Sequence, residues 1–163
     1  MDRLWTPWRY QYITASSGAP ACVFCEKTTS TDDEANLIVH RARHNLVLLN
    51  LYPYNCGHLM VVPYAHVATL EEAEAAVADE MFRLTRHSEA LLRKVYRPQG
   101  VNLGMNIGAC AGAGVAGHIH MHLVPRWVGD SNFMTTLGET RVLPEELPVT
   151  RRRLAEAWES VPE

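Results

Sequence analysis

The sequence predicts an α+β domain, and three observations carry that prediction. Five short apolar runs are bounded by turn residues, one long segment keeps a helical period, and one run alternates histidine with apolar side chains. A length of 163 residues suits a single domain over 1–163. Hydrophobic residues at 47% and charged residues at 20% argue for a folded globule rather than a disordered chain. The formal charge of −3 lacks the basic surface that a nucleic-acid partner requires. No apolar stretch approaches the ~20 residues needed to span a bilayer. The first ten residues mix charges with aromatics and carry no signal-peptide core. The expectation is a cytoplasmic protein with neither a nucleic-acid nor a membrane partner.

Residues 1–36 read as an N-terminal arm. Pro7, Gly18 and Pro20 break regular structure, and Trp5, Trp8, Tyr10 and Tyr12 would pin the arm to the body. A Cys22-x-x-Cys25 knuckle and the polar turn Asp32-Asp33-Glu34 follow. Leu37-Ile38-Val39 and Leu46-Val47-Leu48-Leu49 read as strands. The turn cluster from Tyr52 to Gly57 leads into the strand His58-Leu59-Met60-Val61-Val62, stopped by Pro63. Leu70, Ala73, Val77, Met81, Leu84, Leu91 and Val95 keep a helical period that predicts a helix over 71–96, with Pro98 and Gly100 as stop signals. A strand over 101–107 and a small-residue loop over 108–117 precede the histidine run. Beyond Pro125 come a turn, an irregular stretch to Pro144, and a short helix over 150–158 carrying Arg151, Arg152 and Arg153. Residues 130–163 form a C-terminal extension. The arginine triplet reads as a solvated helix face or, alternatively, a grip on phosphates.

The chemistry concentrates in His118-Ile119-His120-Met121-His122-Leu123-Val124. A strand turns alternate side chains to opposite faces, so His118, His120 and His122 share one face about 6.6 Å apart, with Ile119, Met121 and Leu123 facing a core. Imidazole serves as nucleophile, proton carrier or metal ligand near neutral pH. The preceding loop holds four glycines in ten residues, including Gly112 and Gly114 beside Val115. Without large side chains its backbone N–H groups can approach an anion closely. His58 opens a strand after Gly57. Asn50 and Asn106 sit at element ends, where polar ligands are gripped and where turn formers also occur. A different reading has all three strand histidines binding one catalytic metal, with Glu139 as the only distant carboxylate base.

Four cysteines are present, and only Cys22 and Cys25 are closely spaced. In a reducing compartment a disulfide framework is not expected. The pair suits half of a structural zinc site, which needs two further ligands; a redox pair or an empty reduced pair are the alternatives.

The histidine run matches the alternating signature of the histidine triad superfamily of nucleotide hydrolases and transferases. Leu4-Trp5-Thr6-Pro7-Trp8-Arg9, the stretch from Asn50 to Met60, Asn102 to Gly108, and Val124 to Met134 resemble a bacterial Fhit-related branch containing diadenosine tetraphosphate hydrolases and phosphorylases. The resemblance implies a five-stranded antiparallel sheet and a homodimer joined through the long helix and a strand edge. It implies His120 as the nucleophile on the α-phosphorus, with a nucleotidyl-histidine intermediate. His122 and His58 would neutralise phosphate oxygens, Asn50 would bind the ribose, and Asn106 with the loop around Gly114 and Val115 would hold phosphate. It also implies Cys22, Cys25, His66 and His118 as zinc ligands, with His44 or His40 as substitutes for His66. Two departures stand out: Gly117 replaces a common acidic residue, and Cys56 replaces a usual proline. Trp127, Asn132, Phe133 and Arg141 extend beyond the triad and could meet the second half of a dinucleoside polyphosphate. Hydrolysis of such a substrate is the first expectation, with phosphorolysis, an adenosine phosphoramidase and a non-catalytic nucleotide sensor as alternatives.

Overall fold

The computed structural model describes residues 22–130 and 144–162. The aromatic arm and the tail positions Asn132, Phe133, Glu139 and Arg141 lie outside the described residues. In chain order the elements are α1 (Val23–Thr29), β1 (Ile38–Arg41), β2 (Asn45–Leu49), β3 (Leu59–Pro63), α2 (Ala75–Tyr96), β4 (Gly100–Gly104), a 3-10 turn (Ala109–Ala111), β5 (Met121–Arg126), α3 (Leu147–Ala157) and a second 3-10 turn (Trp158–Ser160). The five strands form one antiparallel sheet in the order β1-β2-β3-β5-β4.

Every residue of β2 and β3 is buried because both faces of the sheet are covered at its centre. Val47, Leu49, Leu59, Val61, Met121 and Leu123 pack with α2 and α3 residues such as Met81, Leu91, Leu92 and Leu154. Ile38, Leu46, Leu48, Met60 and Val62 turn the other way and meet Phe24 of α1, with Cys22 and Val115 at the margin. Strand alternation therefore assigns the helices to one face and the candidate chemistry to the other. Among the described residues, α1 and the glycine loop cover the second face, and a cavity opens there.

The boundaries depart from the sequence expectation for local reasons. α2 begins at Ala75 rather than residue 71, because residues 68–72 bond among themselves. The Glu72 carboxylate accepts from Ala68 N–H at 2.7 Å, and Glu72 N–H donates to Thr69 Oγ1 at 3.2 Å. Such side-chain bonds compete with the helix ladder. α2 ends where Arg97 takes a left-handed conformation, one residue before Pro98. β4 stops at Gly104 rather than 107. The Cys22-x-x-Cys25 knuckle of the sequence reading is the start of helix α1, with Cys22 at its N-cap. α3 begins at Leu147, earlier than expected, with a proline in its first turn.

The largest correction concerns the histidine run. Regular pairing of β5 starts at Met121, so His118 and His120 precede the strand instead of lying within it. The register pairs Leu59 with Leu123 and Val61 with Met121, which would next place Pro63 opposite Ile119. Proline has no N–H to continue that ladder. Ile119 N–H turns instead to the Val67 carbonyl at 2.8 Å. Side-chain alternation survives: Ile119 stays in the helix-side core.

The arginine triplet is also more engaged than a solvated face. Arg151 Nε donates to the Ile38 carbonyl at 2.7 Å. Arg153 pairs with Glu145 and sits 4.9 Å over the Tyr96 ring.

One buried carboxylate ties the β1–β2 turn to α2. Glu80, 6% exposed, accepts from His44 N–H at 2.7 Å and from Asn45 Nδ2 at 3.0 Å. Burial would raise its pKa, but those hydrogen bonds outweigh burial and hold the carboxyl below its ordinary value. Glu80→Ala should lower unfolding free energy by about 2–3 kcal/mol, since it leaves buried donors unpaired. Denaturant titration against wild type checks this, and a loss below about 0.5 kcal/mol would refute the role.

Candidate functional site

Three imidazoles form a chain whose protonation pattern follows from fixed donors. His58 is fully buried. The Tyr54 backbone N–H donates to His58 Nδ1 at 3.1 Å. Asn50 Oδ1 accepts from Tyr52 N–H at 3.0 Å, which orients Asn50 Nδ2 toward the same His58 Nδ1 at 3.5 Å. With donors on Nδ1, the neutral His58 ring carries its proton on Nε2. That N–H donates to His122 Nδ1 at 2.9 Å. His122 in turn carries its own proton on Nε2.

His120 has the opposite arrangement. Its Nδ1–H donates to the His118 carbonyl at 2.9 Å, which leaves Nε2 with a free lone pair. The His120 and His122 ring centroids are 4.8 Å apart. The neighbouring rings are thus set as a lone pair and an N–H donor. Burial pushes the His120 pKa down, against the hydrogen bond to His118. Burial first, then the charges of His122 and His120, pushes His58 down to about 3. Burial therefore favours the neutral form of both His58 and His120.

His120 and His122 line a cavity of about 280 Å³. Val23, Phe24 and Lys27 of α1 form one wall; Leu48 to Tyr52 with Tyr54 and Met60 form the sheet side. Asn106, Gly112, Gly114 and Val115 close it from the loop. Its lining is mostly apolar with a few polar groups, as small-molecule sites are. Gly108 and Gly112 both have positive φ, 84° and 88°, and so bend the loop around the site. Gly112 and Ala113 N–H groups close the loop's own turns. Among the described residues, no hydrogen bond engages the N–H groups of Gly114 or Val115.

A second cluster lies beside the first. Ligand atoms of Cys22, Cys25, His66 and His118 all fall within 4.8 Å of one another. His118 Nδ1 is 3.4 Å from Cys22 Sγ and 3.7 Å from Cys25 Sγ, and His66 Nδ1 is 3.2 Å from Cys25 Sγ. His118 Nε2 donates to the Pro63 carbonyl at 2.9 Å, so Nδ1 presents its lone pair to the sulfurs. Two thiols and two imidazoles at this spacing fit a tetrahedral cation, and the cluster can hold a metal. Burial and the adjacent Cys22 push the Cys25 thiol up, an effect a bound cation reverses.

The sequence-predicted residues thus divide. Asn50, Asn106, Gly112, Gly114, Val115, His120 and His122 meet at the cavity. His118 is directed to the cysteine cluster, so the three triad rings do not converge on one catalytic metal. His58 stands behind His122 and away from the cavity wall. His40 stacks on Trp158 at 4.3 Å, and neither it nor His44 joins the cluster, which takes His66. A Cβ on Gly117 would sit 3.4 Å from His66 Nε2. Cys56 is half-buried, 4.0 Å from Thr150 Oγ1. Sequence reasoning missed Phe24, whose ring lies 4.9 Å from His120 and 5.4 Å from His118. It also missed Lys27 and Tyr54. A helical reading of the cysteine segment would have placed Val23 and Lys27 on one face.

Known proteins resemble this chain in sequence and in fold. The HIT domain family matches residues 31–128. An AP-4-A phosphorylase of Mycobacterium tuberculosis is 42% identical, covering 99% of this chain and 87% of that protein. The Schizosaccharomyces pombe asymmetrical bis(5'-nucleosyl)-tetraphosphatase is 28% identical over 57% of this chain and 50% of its own. A zinc-bound histidine triad family protein from Mycobacterium smegmatis superposes with a TM-score of 0.70, at 25% identity, covering 86% of this chain and 94% of that one.

The neutral His58 has a consequence for stability. In the fold it stays unprotonated down to about pH 3, whereas in the unfolded chain it titrates near 6.5. Between those values the folded state binds fewer protons, so stability is full above pH 6.5 and falls as pH drops. The slope from this one group reaches at most about 1.4 kcal/mol per pH unit. Melting temperatures should be level above pH 6.5 and decline below it, and His58→Gln should flatten the decline. An equal decline in that variant would assign the acid sensitivity elsewhere.

Proposed function

This chain belongs to the HIT domain family, and on that premise we propose that it cleaves diadenosine tetraphosphate by passing AMP to His120 and then to inorganic phosphate. The observation that carries the reading is the pair of oppositely set imidazoles, His120 and His122, on the wall of a cavity sized for one nucleoside. The 42%-identical AP-4-A phosphorylase supports both the substrate and phosphate as acceptor.

In the first step His120 Nε2 attacks the α-phosphorus and the bond to the bridging oxygen breaks. ATP departs with that electron pair, and His122 Nε2–H supplies the hydrogen bond or proton to the leaving oxygen. In the second step a phosphate oxygen attacks the same phosphorus, the P–N bond breaks, and ADP leaves with His120 restored. Gly114 and Val115 N–H groups offer donors for the charge that develops on the non-bridging oxygens. Asn50 holds the ribose, and Asn106, which bonds the Gly112 carbonyl at 3.4 Å, holds the loop to the phosphates. His58 acts through His122.

The metal cluster is read as a zinc site, supported by its two-cysteine, two-histidine donor set and by the zinc-bound neighbour from M. smegmatis. Its work is structural: it ties α1 to the segment carrying the nucleophile. A homodimer through β4, a sheet-edge strand with Leu103 50% exposed, is part of the reading. So is a cytoplasmic setting, supported by four free cysteines. No helix among the described residues is long and apolar enough to cross a membrane.

Incubation with diadenosine tetraphosphate, with and without phosphate, tests the reaction. ATP plus ADP, dependent on phosphate, is expected; ATP plus AMP would mean that water is the acceptor, and no cleavage would refute the substrate. His120→Asn should lower turnover at least about a thousandfold while nucleotide binding persists. A variant within tenfold of wild type would remove His120 from the nucleophile role. Elemental analysis should find about one zinc per chain, a stoichiometry set by the four-ligand cluster. Cys22→Ala should lose the metal and lower the melting temperature, and full metal content in that variant would refute the ligand set.

A further inference from the structure

We infer that Asn55, Asp130 and Arg126 form a positioning clamp that sets the proton arrangement of the catalytic imidazoles; the inference rests on the catalytic reading of His120 and His122 given above. The His58–His122 bond joins two distant parts of the chain, the loop before β3 and strand β5. A second set of bonds joins the same two parts. Asn55 Nδ2 donates to the Pro125 carbonyl at 2.9 Å and to Asp130 Oδ2 at 2.7 Å. The Asp130 carboxylate, 9% exposed, is itself gripped by Arg126 through both oxygens, at 2.6 and 2.8 Å. Trp127 N–H donates to Asp130 Oδ2 at 3.1 Å, and Arg126 Nη1 donates to Asn102 Oδ1 at 2.9 Å across to β4.

Asn55 occupies the position where the loop's geometry is decided. Its carbonyl accepts from His58 N–H at 3.2 Å, and the residue before it supplies the N–H that caps His58 Nδ1. On the other side Gly57 has φ +76°, and its Cβ position would come within 3.2 Å of Leu92 Cδ2. The turn is therefore seated between α2 and the clamp. If Asn55 lets go, Tyr54 N–H is free to leave His58 Nδ1. His58 Nδ1 then keeps only the 3.5 Å contact from Asn50 Nδ2, too long to fix a tautomer, and with it His122 loses the rule that puts its proton on Nε2. Neither Asn55 nor Asp130 lines the cavity. Their effect on chemistry passes entirely through the two rings.

The test uses the full-length protein without substrate. Isotope-labelled imidazole nitrogen NMR reads the tautomer of each ring, and steady-state kinetics on diadenosine tetraphosphate are measured alongside. Wild type is expected to show His58 and His122 each as a single Nε2–H tautomer. Asn55→Ala and Asp130→Ala should each give mixed tautomers at His58 or His122, with kcat down at least about tenfold and KM changed less than about threefold. Should Asp130→Ala fail to fold, the near-isosteric Asp130→Asn gives the same reading. Unchanged single tautomers in both variants would overturn the clamp's role, as would a Nδ1–H tautomer at His58 in wild type. A KM effect with intact kcat would also overturn it. Because the tautomers are read without substrate, failure to cleave this dinucleotide would refute the proposed substrate and leave the clamp to be judged by NMR.

Discussion

One hydrogen bond runs between the two halves of the site: His120 Nδ1–H to the carbonyl of His118. The bond spans two residues, so it holds only if the backbone there is extended and the His118 unit is immobile. His118 is immobilised from both ring nitrogens, by the Pro63 carbonyl and by the cysteine sulfurs. The residue whose ring belongs to the Cys/His cluster thus lends its carbonyl to His120, the proposed nucleophile. Whatever fixes the cluster also fixes the direction of the His120 lone pair.

The sheet supplies the remaining constraint. Its helix-side face is filled by a contiguous apolar core, which makes the backbone of β2, β3 and β5 rigid. The opposite face carries a smaller apolar cluster that stops where the cavity begins. Candidate side chains at or beside the ends of these strands, next to a loop of small residues, combine accurate positioning with close backbone approach to an anion. Phe24 serves both halves, closing the small core and touching two of the triad rings.

The imidazole chain illustrates how neutral groups can be ordered without charge. Burial holds His58 and His120 neutral, so tautomer rather than protonation state distinguishes the rings. Each tautomer is set by an obligatory backbone group: Tyr54 N–H at one end and the His118 carbonyl at the other. Backbone donors and acceptors cannot titrate, so the arrangement holds wherever the rings themselves stay neutral. The loop that carries Tyr54 therefore belongs to the proposed chemistry even though His58 does not line the cavity.

Sequence alone determined the features that depend on local period. Alternation in 118–124 assigned the histidines and the apolar residues to opposite faces, and that survived a later start of the strand, at Met121. The spacing from Val77 to Val95 determined the long helix, and the glycine run determined a loop without bulky side chains. Tertiary structure decided the partners. Cys22 and His118 are 96 residues apart, and Asn55 and Asp130 are 75 apart. No short-range pattern encodes such pairs, since loop closure and packing bring them together. For the same reason the Pro63 interruption became visible only once β3 lay against β5. Residue type announced that the histidines could do chemistry. Which nitrogen of each ring is free to do it was decided by the fold, because a tautomer is set by whichever donor or acceptor the folded backbone places beside it.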